Sequence, residues 1–364
     1  MKNTYGSSIS LTLFGESHGK AVGAVIDGLA PGLAVSEDNI RRLLSKRRPD
    51  GISSTPRVER DEFEILSGVF NGKTTGTPIA IVIPNENVKS SDYTYGIARP
   101  SHADYSAFCK YHGAEDYRGG GHFSGRVTAA LVAAGAIFID ALDALGVSIG
   151  THILSCAGAS DRAFENVEED IRLLHESEFP ALSSKSAEDI IRQIKAAREN
   201  CDSVGGVTQS AVVGLPAGLG EPWFDSVEGS LARALFAIGG IKGVEFGLGF
   251  GFKDESGIEA NDAFMIKDGK VYTKTNNNGG INGGITNGMP VVFQCAVKPT
   301  PSVALMQETV NFIENKELTH EIKGRHDPAI IRRIAPVIDS VTAMVVCDML
   351  ASRYGTDVFT KGLQ

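Results

Sequence analysis

The strongest constraint on the fold lies between residues 118 and 145, where three consecutive glycines precede a long apolar run. The run begins at Thr128, contains mostly alanine, valine and leucine, and predicts a buried helix over Thr128–Leu145. Glycine lets a backbone approach a ligand closely, and a helix start offers unpaired N–H groups and the positive end of its dipole. The segment Arg118-Gly119-Gly120-Gly121 therefore predicts a loop that faces a ligand ahead of a core helix.

Cationic side chains surround this segment. Residues 99–105 (RPSHADY) and 117–126 (YRGGGHFSGR) supply three arginines, two histidines and several hydroxyl groups. We interpret them as an anion site built from a loop, arginines and a helix start. The alternative is a tight turn into a core helix with solvated arginines, which a triple glycine alone would favour. Glycine loops and basic residues elsewhere in the chain favour the anion site.

Composition excludes several classes of protein. The 364 residues are 42% hydrophobic and 22% charged, which is typical of a soluble globular protein. The net charge of −9 argues against a nucleic-acid backbone as the main partner. The N-terminus lacks an export pattern, and Asp140 and Asp143 interrupt the most apolar segment, so we expect a cytoplasmic protein without a membrane span. No metal-binding motif accompanies His326-Asp327, so we expect no metal.

Strands and helices are predicted to alternate along the chain, with no linker or repeat, so we expect one domain over residues 1–364. The predicted strands are Ser8–Phe14, Ala21–Asp27, Glu62–Val69, Thr77–Ile83, Val207–Val213, a close-packed strand within Gly239–Phe252, and Pro290–Val297. The predicted helices are Ser36–Lys46, Thr128–Leu145, a charged pair within Asp161–Ser203 that breaks at Phe179-Pro180, Ser226–Ala237 and Val337–Arg353. Pro49 ends the first helix, which therefore presents Lys46, Arg47 and Arg48 together.

Several histidines are candidates for proton transfer. Ser17 and His18 follow a predicted strand, and neighbouring strand residues point to opposite faces, so we interpret His18 as an independent proton donor or a capping residue. His102 and Asp104 would share one face of an extended segment, and a structural hydrogen bond is as consistent with this spacing as a catalytic one. The chain contains neither a P-loop nor a Rossmann fingerprint. The residues by themselves thus indicate an enzyme that binds a phosphorylated ligand.

Seven short motifs add a family resemblance. In this order, the chain resembles chorismate synthases at residues 15–19 (GESHG), 99–105 (RPSHADY), 118–121 (RGGG), 241–245 (IKGVE), 279–285 (GGINGGI), 298–300 (KPT) and 324–328 (GRHDP). Each motif is weak alone, but together they extend over nearly the whole chain. The resemblance implies an α+β fold, a single-domain layered β-α-β sandwich, and a homotetramer.

The resemblance also implies a reaction and its cofactor. The family is a lyase of the shikimate pathway that converts 5-enolpyruvylshikimate 3-phosphate to chorismate by anti-1,4-elimination of phosphate. The implied cofactor is reduced FMN, with FAD as a related flavin and NADPH as an external or intrinsic reductant. Alternatives are an NAD(P)H-dependent flavin oxidoreductase, which would consume NADPH stoichiometrically, and a phosphosugar- or nucleotide-binding protein, which would release no phosphate.

The resemblance also implies roles for residues at the positions that match the family's motifs. His18 would protonate the departing phosphate, His102 would interact with the reduced flavin, and Asp327 would assist removal of the ring proton. Substrate-binding residues would be Ser17, Arg47, Arg48 and Arg126. Cofactor-binding residues would be His122, Phe123, Ser124, Gly239, Gly240, Gly283, Lys298, Pro299, Thr300, Pro301, Ser302 and Arg325.

The chain departs from the family at a few of these positions. Many members carry Arg-Ser-Ser-Ala-Arg-Glu-Thr after the glycines, whereas residues 122–128 here are HFSGRVT. His122 replaces an arginine, so the charge there becomes pH-dependent, while Phe123 and Val127 replace a serine and a glutamate. Ser53 replaces a further arginine, for which Arg57 is the candidate substitute.

Overall fold

The computed structural model describes residues 2–51, 54, 60–86, 93–322 and 327–363. The strands are β1 (Thr4–Tyr5), β2 (Ser10–Gly15), β3 (Ala21–Asp27), β4 (Glu64–Ser67), β5 (Val69–Phe70), β6 (Lys73–Thr74), β7 (Ile79–Pro84), β8 (Ser148–Cys156), β9 (Ala159–Ser160), β10 (Gly206–Val213), β11 (Ile241–Phe246), β12 (Phe264–Lys267), β13 (Lys270–Thr273), β14 (Ile281–Asn282), β15 (Ile285–Thr286), β16 (Val291–Val297), β17 (Met306–Asn311) and β18 (Lys316–Glu321). The α-helices are α1 (Glu37–Arg47), α2 (Asp104–Tyr111), α3 (Thr128–Asp143), α4 (Val167–Glu176), α5 (Ser184–Glu199), α6 (Val227–Leu235), α7 (Gly257–Ala260), α8 (Ile331–Tyr354) and α9 (Val358–Lys361).

Two antiparallel sheets form the outer layers of the core. The first has the strand order β1-β2-β3-β7-β4, and the second has the order β11-β16-β10-β8-β9. In β7 the residues alternate between buried and partly exposed positions, as the period of two in a strand with one core-facing side requires. The apolar faces of both sheets must therefore be covered by other elements.

Helices α3 and α8 fill the space between the sheets. Helix α3 packs on β3 and β7, helix α8 packs on β8 and β10, and the two helices pack against each other. At their crossing, a Cβ atom on Gly135 would lie 2.2 Å from Cβ of Ser340, so only glycine permits this approach. The predicted layered β-α-β arrangement is confirmed, because the order of layers is sheet, helices, sheet.

Both central helices are apolar enough to resemble membrane spans. They comprise Gly125–Asp143 and Ile331–Tyr354, and 83% of the most apolar stretch of each is buried inside the protein. A helix that is apolar on all sides belongs either in a bilayer or in the core of a large protein. Burial between the two sheets identifies these two as core helices of a soluble protein.

Most predicted elements agree with the structure to within a few residues. Ser36 caps α1 by accepting a hydrogen bond from the Asn39 backbone N–H (3.1 Å), and the helix ends at Arg47, just before Pro49. The charged segment forms α4 and α5, separated at Phe179-Pro180 as predicted. The sequence analysis did not predict helix α2 or the hairpins β12–β13 and β17–β18.

The predicted strand within Gly239–Phe252 is wrong in its second half. Strand β11 ends at Phe246, and Gly249–Asp254 forms a 3-10 turn. Gly247 and Gly249 have φ values of +57° and +51°, which a strand does not allow. The Glu245 carboxylate also accepts a hydrogen bond from the Phe250 N–H (3.0 Å) and closes the turn. Alternation of glycine and aromatic residues therefore marked a turn here.

Candidate active site

The triple glycine has a backbone that other residues cannot easily adopt. Gly119, Gly120 and Gly121 have φ values of +61°, +81° and +53° within the 3-10 segment Arg118–Phe123. A left-handed backbone costs a residue with a side chain about 1–2 kcal/mol, so three in succession require glycine. The Gly121 carbonyl accepts a hydrogen bond from the Ser17 N–H (3.0 Å), which ties the segment to the end of β2.

His18 and His102 meet at this segment. A Cβ atom on Gly119 would lie 2.1 Å from Cε1 and Nδ1 of His18, and a Cβ atom on Gly120 would lie 2.9 Å from Cε1 of His102. Each ring therefore occupies the space that a side chain on the adjacent glycine would take. Two histidines that are distant in sequence are thus held against neighbouring backbone positions.

The expected strand geometry at Ser17 and His18 is wrong. Strand β2 ends at Gly15, and the chain then turns, with the Gly19 N–H donating to the Glu16 carbonyl (3.0 Å). As a result both side chains lie beside Gly119, whose Cβ would be 2.9 Å from Oγ of Ser17. Ser17 and His18 do not point to opposite faces, because residues 16–19 are not extended.

The predicted contact between His102 and Asp104 is confirmed, although the segment is not extended. Nδ1 of His102 lies 3.0 Å from Oδ1 of Asp104, across the turn that begins α2. Arg99 also donates to this carboxylate, with Nη2 at 2.6 Å from Oδ1 and Nε at 2.8 Å from Oδ2. Burial would by itself raise the pKa of Asp104, but the hydrogen bonds from Arg99 and His102 hold it well below its usual value. Nη2 of Arg99 also lies 3.0 Å from Nδ1 of His102, but its short hydrogen bond goes to Oδ1 of Asp104. Because an ionised carboxylate only accepts, we assign the proton to Nδ1 of His102, which then donates to the same oxygen.

Three arginines with a proposed role in substrate binding meet at one carboxylate, Asp61. Arg126 donates through Nη1 to Oδ1 of Asp61, and Nη2 of Arg47 and Nε of Arg48 lie 3.4 and 3.5 Å from Oδ2. The Asp61 side chain is fully buried, those of Arg47 and Arg126 are 2% and 7% exposed, and that of Arg48 is 29% exposed. The structure therefore brings the three arginines together and leaves Arg48 the most accessible of them.

Sequence reasoning missed Asp61. Burial alone would raise its pKa, yet Arg47, Arg126 and Arg48 outweigh burial and hold the pKa below its usual value, so the group is ionised at neutral pH. Its backbone is left-handed, with φ of +52°. An aspartate among neighbouring acidic residues does not reveal from the sequence that it binds arginines, because only the folded chain surrounds it with cations.

Helix α8 fixes the end of α1 and also contacts Asp327. Nε of Arg333 donates to the Arg47 carbonyl (2.9 Å), and Nη1 of Arg332 donates to the Arg48 carbonyl (3.2 Å). Nη1 of Arg333 also donates to Oδ2 of Asp327. The Arg333 side chain thereby connects Asp327 to the backbone of Arg47. Arg325, Ser53 and Arg57 lie outside the described residues.

The loop after β16 contacts the loop that carries His102. Nζ of Lys298 donates to the Ser101 carbonyl (2.7 Å), and the Lys298 N–H donates to the Gly240 carbonyl (2.9 Å). Burial, together with the nearby Lys242, lowers the pKa of Lys298. The buried Oγ1 of Thr300 has no hydrogen-bond partner among the described residues. Lys298, Thr300 and Gly240 therefore lie together, next to the His102 loop.

Other candidate residues have different surroundings. Nδ1 of His122 donates to the Gly15 carbonyl (2.8 Å), and Oγ of Ser124 accepts from the Arg126 N–H (3.3 Å). Pro299, Pro301 and Ser302 follow Lys298 in an irregular segment, whereas Gly239 precedes Gly240 after α6. Gly283 is in the β14–β15 turn, and its neighbour Gly284 contacts the start of α6, the opposite end of that helix from Gly239.

A cleft opens beside the glycine segment on the His102 side. It is open to solvent, and its polar lining includes Arg99, His102 and Asp104. Its apolar lining consists of Tyr93, Tyr95, Ile97, Ala103, Ala107, Tyr117, Phe123, Phe312 and Ile322. Aromatic walls with a few convergent polar groups are typical of sites for planar ligands.

Known proteins share both the sequence and the fold of this chain. The model of the chorismate synthase family matches residues 9–351. The chorismate synthases of Thermococcus kodakarensis and Pyrococcus abyssi are 45% and 46% identical over 351 residues, which are 96% of this chain and 97% of each relative. The chain belongs to the chorismate synthase family. A crystal structure of chorismate synthase superposes with a TM-score of 0.76 at 30% identity, covering 96% of this chain and 94% of the other.

Family membership gives the chain its activity. Chorismate synthases are lyases that eliminate phosphate from 5-enolpyruvylshikimate 3-phosphate to give chorismate in aromatic amino-acid biosynthesis, and they require a reduced flavin. The resemblance that seven short motifs indicated is therefore confirmed over nearly the entire chain. Both histidines of the glycine segment and all three arginines at Asp61 lie within the matched residues.

Proposed function

We propose that the elimination takes place at the glycine segment, with reduced FMN as the cofactor and residues 1–364 acting as one catalytic domain. The observation that carries the proposal is the meeting of His18 and His102 at Gly119 and Gly120. Proton transfer by a positioned histidine requires a defined ring position, and both rings have one here. A core that is continuous from Ile9 in the first sheet to Phe359 near the C-terminus supports a single domain.

The residues around Lys298 suit the phosphate of FMN. Lys298 and Lys242 bring two positive charges together, and the Thr300 hydroxyl lacks a hydrogen-bond partner among the described residues. A phosphate would accept from both kinds of group and would relieve the repulsion between the lysines. The aromatic cleft beside His102 suits the planar ring, with Phe123 on its wall. Arg325, His122, Ser124, Gly239, Gly283 and Pro299–Ser302 remain proposed cofactor contacts.

Four side chains near the glycine segment and the arginine cluster have separate proposed roles in proton transfer and ligand contact. When bound, reduced FMN supplies electron density to the substrate and recovers it. His18 donates a proton to the departing phosphate, and Ser17 beside it contacts the substrate. Asp327, oriented by Arg333, assists removal of the ring proton. His102 holds its proton on Nδ1 against Asp104, which fixes Nε2 beside Gly120, where it would interact with the reduced flavin.

The arginine cluster provides the charge that binds the substrate. Arg47, Arg48 and Arg126 would hold its phosphate and carboxylates, since guanidinium groups match these anions bidentately. Arg48 is the most accessible and makes the first contact, while Arg47 and Arg126 contribute their charge from beneath it.

Lys298→Gln tests the cofactor assignment. Glutamine can still donate to the Ser101 carbonyl but lacks the positive charge, so we expect the Kd for FMN to rise about tenfold, which corresponds to about 1.4 kcal/mol. Flavin fluorescence titration measures it, with FAD as the comparison flavin. Lys195→Ala on the exposed face of α5 is the control and should leave the Kd unchanged. If Lys298→Gln and the parent protein bind FMN with equal affinity, the FMN phosphate does not bind at this loop.

Anaerobic turnover tests the cofactor in the reaction itself. With chemically reduced FMN and 5-enolpyruvylshikimate 3-phosphate, phosphate and chorismate should form in equal amounts without net flavin oxidation. Flavin oxidation in step with product would contradict the proposed role of reduced FMN. Turnover with NADPH and oxidised FMN alone would assign flavin reduction to this chain, whereas its absence would assign it to an external reductase.

We also propose a cytoplasmic homotetramer, which the apolar surface supports. Phe264, Ile266 and Val271 on the hairpin β12–β13 are at least 60% exposed, and Phe224 is 94% exposed. Apolar surface of this kind marks an interface between proteins. Sedimentation velocity should give four times the chain mass of 38.6 kDa, and Ile266→Lys should lower it. A monomeric parent protein would contradict the proposal.

A further inference from the structure

Asp61 joins residues from two separate parts of the chain. Arg47 and Arg48 are at the end of α1, whereas Arg126 is in the 3-10 turn before α3. Three guanidinium groups at this distance would repel one another strongly in a water-poor environment. The shared carboxylate is the group among the described residues that brings them to one place.

Arg47 and Arg126 also contact backbone carbonyls and a neutral side chain among the described residues. Nη1 of Arg47 donates to the Gly125 carbonyl (3.3 Å), and Arg126 donates to the Pro84 carbonyl (3.0 Å) and to Oδ1 of Asn85 (2.9 Å). These acceptors orient the guanidinium planes but carry no full negative charge. Asp61 differs from them because it brings a full negative charge to all three arginines.

One carboxylate compensates part of the charge of three arginines. Arg48 has the most exposed side chain of the three, at 29% against 2% for Arg47 and 7% for Arg126. An anionic substrate at Arg48 would then feel the charge of all three arginines at fixed positions. Preorganised cations of this kind bind an anion without paying for reorganisation.

The backbone of Asp61 also fits a positioning role. A φ of +52° is uncommon for a residue with a side chain, and such conformations persist where surrounding contacts impose them. Aspartate and asparagine tolerate this region better than other residues with side chains. Asp61→Asn therefore changes the charge while leaving shape and backbone preference nearly the same.

We propose that Asp61 is a positioning residue that holds Arg47, Arg48 and Arg126 as one preorganised site for the anionic groups of the substrate. It acts through the arginines and does not touch the substrate itself. This inference rests on the proposed role of the arginines in substrate binding. The neutral variant would leave three cations without their shared partner, and their displacement would weaken substrate binding.

The test compares steady-state kinetics of variants under anaerobic conditions with saturating reduced FMN. We expect Asp61→Asn to raise KM for 5-enolpyruvylshikimate 3-phosphate 10- to 100-fold while kcat changes less than threefold, because the loss falls on binding. Asp170→Asn is the matched control: it neutralises another buried aspartate, which pairs with Arg162 rather than with the arginine cluster, and should leave KM unchanged. Calorimetric titration of the substrate into the oxidised-FMN complex should show the same weakening without turnover.

Three outcomes separate the possibilities. An unchanged or lower KM in Asp61→Asn would overturn the positioning role, and a lower KM would mean that the carboxylate competes with the substrate. Arg48→Ala should raise KM at least tenfold; if it does not, the proposed role of the arginines fails, whatever Asp61→Asn does. If Asp61→Asn fails to fold, Asp61→Glu keeps the charge but moves it by one methylene, and we expect KM to rise 3- to 10-fold; an unchanged value there would also overturn the role.

Discussion

His18→Ala and His102→Ala are each expected to lower kcat by a factor of about 10²–10⁴ while the protein still folds. A positioned proton donor contributes about this much to a reaction, and alanine removes it without disturbing the buried core. His18 is the proposed proton donor to the departing phosphate, and Asp104, to which Arg99 also donates, holds the His102 ring beside Gly120. Initial rates of phosphate release with chemically reduced FMN measure the effect.

A third histidine variant serves as the control. His175 is partly buried, donates from Nε2 to the Ile149 carbonyl (2.8 Å), and does not line the cleft beside the glycine segment. His175→Ala should therefore keep kcat within about threefold of the parent value, since surface and peripheral substitutions have small effects. Near-normal turnover in His18→Ala or His102→Ala would remove that residue from the mechanism. Far-UV circular dichroism should be the same for all three variants.

Gly119→Ala is expected to reduce kcat at least about 100-fold. The new methyl group would lie 2.1 Å from the His18 ring, which must move, and φ of +61° adds about 1–2 kcal/mol of strain. Misplacing a reacting group by about 1 Å can cost a factor of about 10² in rate. Anaerobic single-turnover measurement of phosphate release reports this loss directly.

The control for this variant is another glycine close by. Gly125→Ala would place its methyl group in open space, with no atom within 4 Å and no left-handed backbone, so activity should stay within about threefold. If both variants lose activity to a similar extent, the loss does not depend on contact with His18, and the region as a whole does not tolerate added side chains. Normal turnover in Gly119→Ala would mean that the His18 ring position does not matter for the reaction.

Local patterns predicted most of the secondary structure. The cap at Ser36, the stop at Pro49 and the break at Phe179-Pro180 depend on neighbours within a few residues, and each agrees with the structure. The predicted strand through Gly251 was wrong, because glycines at positive φ turn the chain in a segment whose alternation resembles a strand. Ser17 and His18 were misplaced because strand geometry was applied to residues beyond the end of β2, where the chain turns.

The sequence by itself determined the residue types available for chemistry and, through seven short motifs, the family, whose resemblance implied the layered α+β fold. Motifs, periodicity and caps are local properties that a sequence records directly. Only the tertiary structure decided which of these residues meet. His18 and His102 come together through three glycines with positive φ, and three arginines come together through Asp61, which no motif had indicated. Contacts between residues far apart in sequence depend on how the sheets pack around α3 and α8, and no local pattern records that packing.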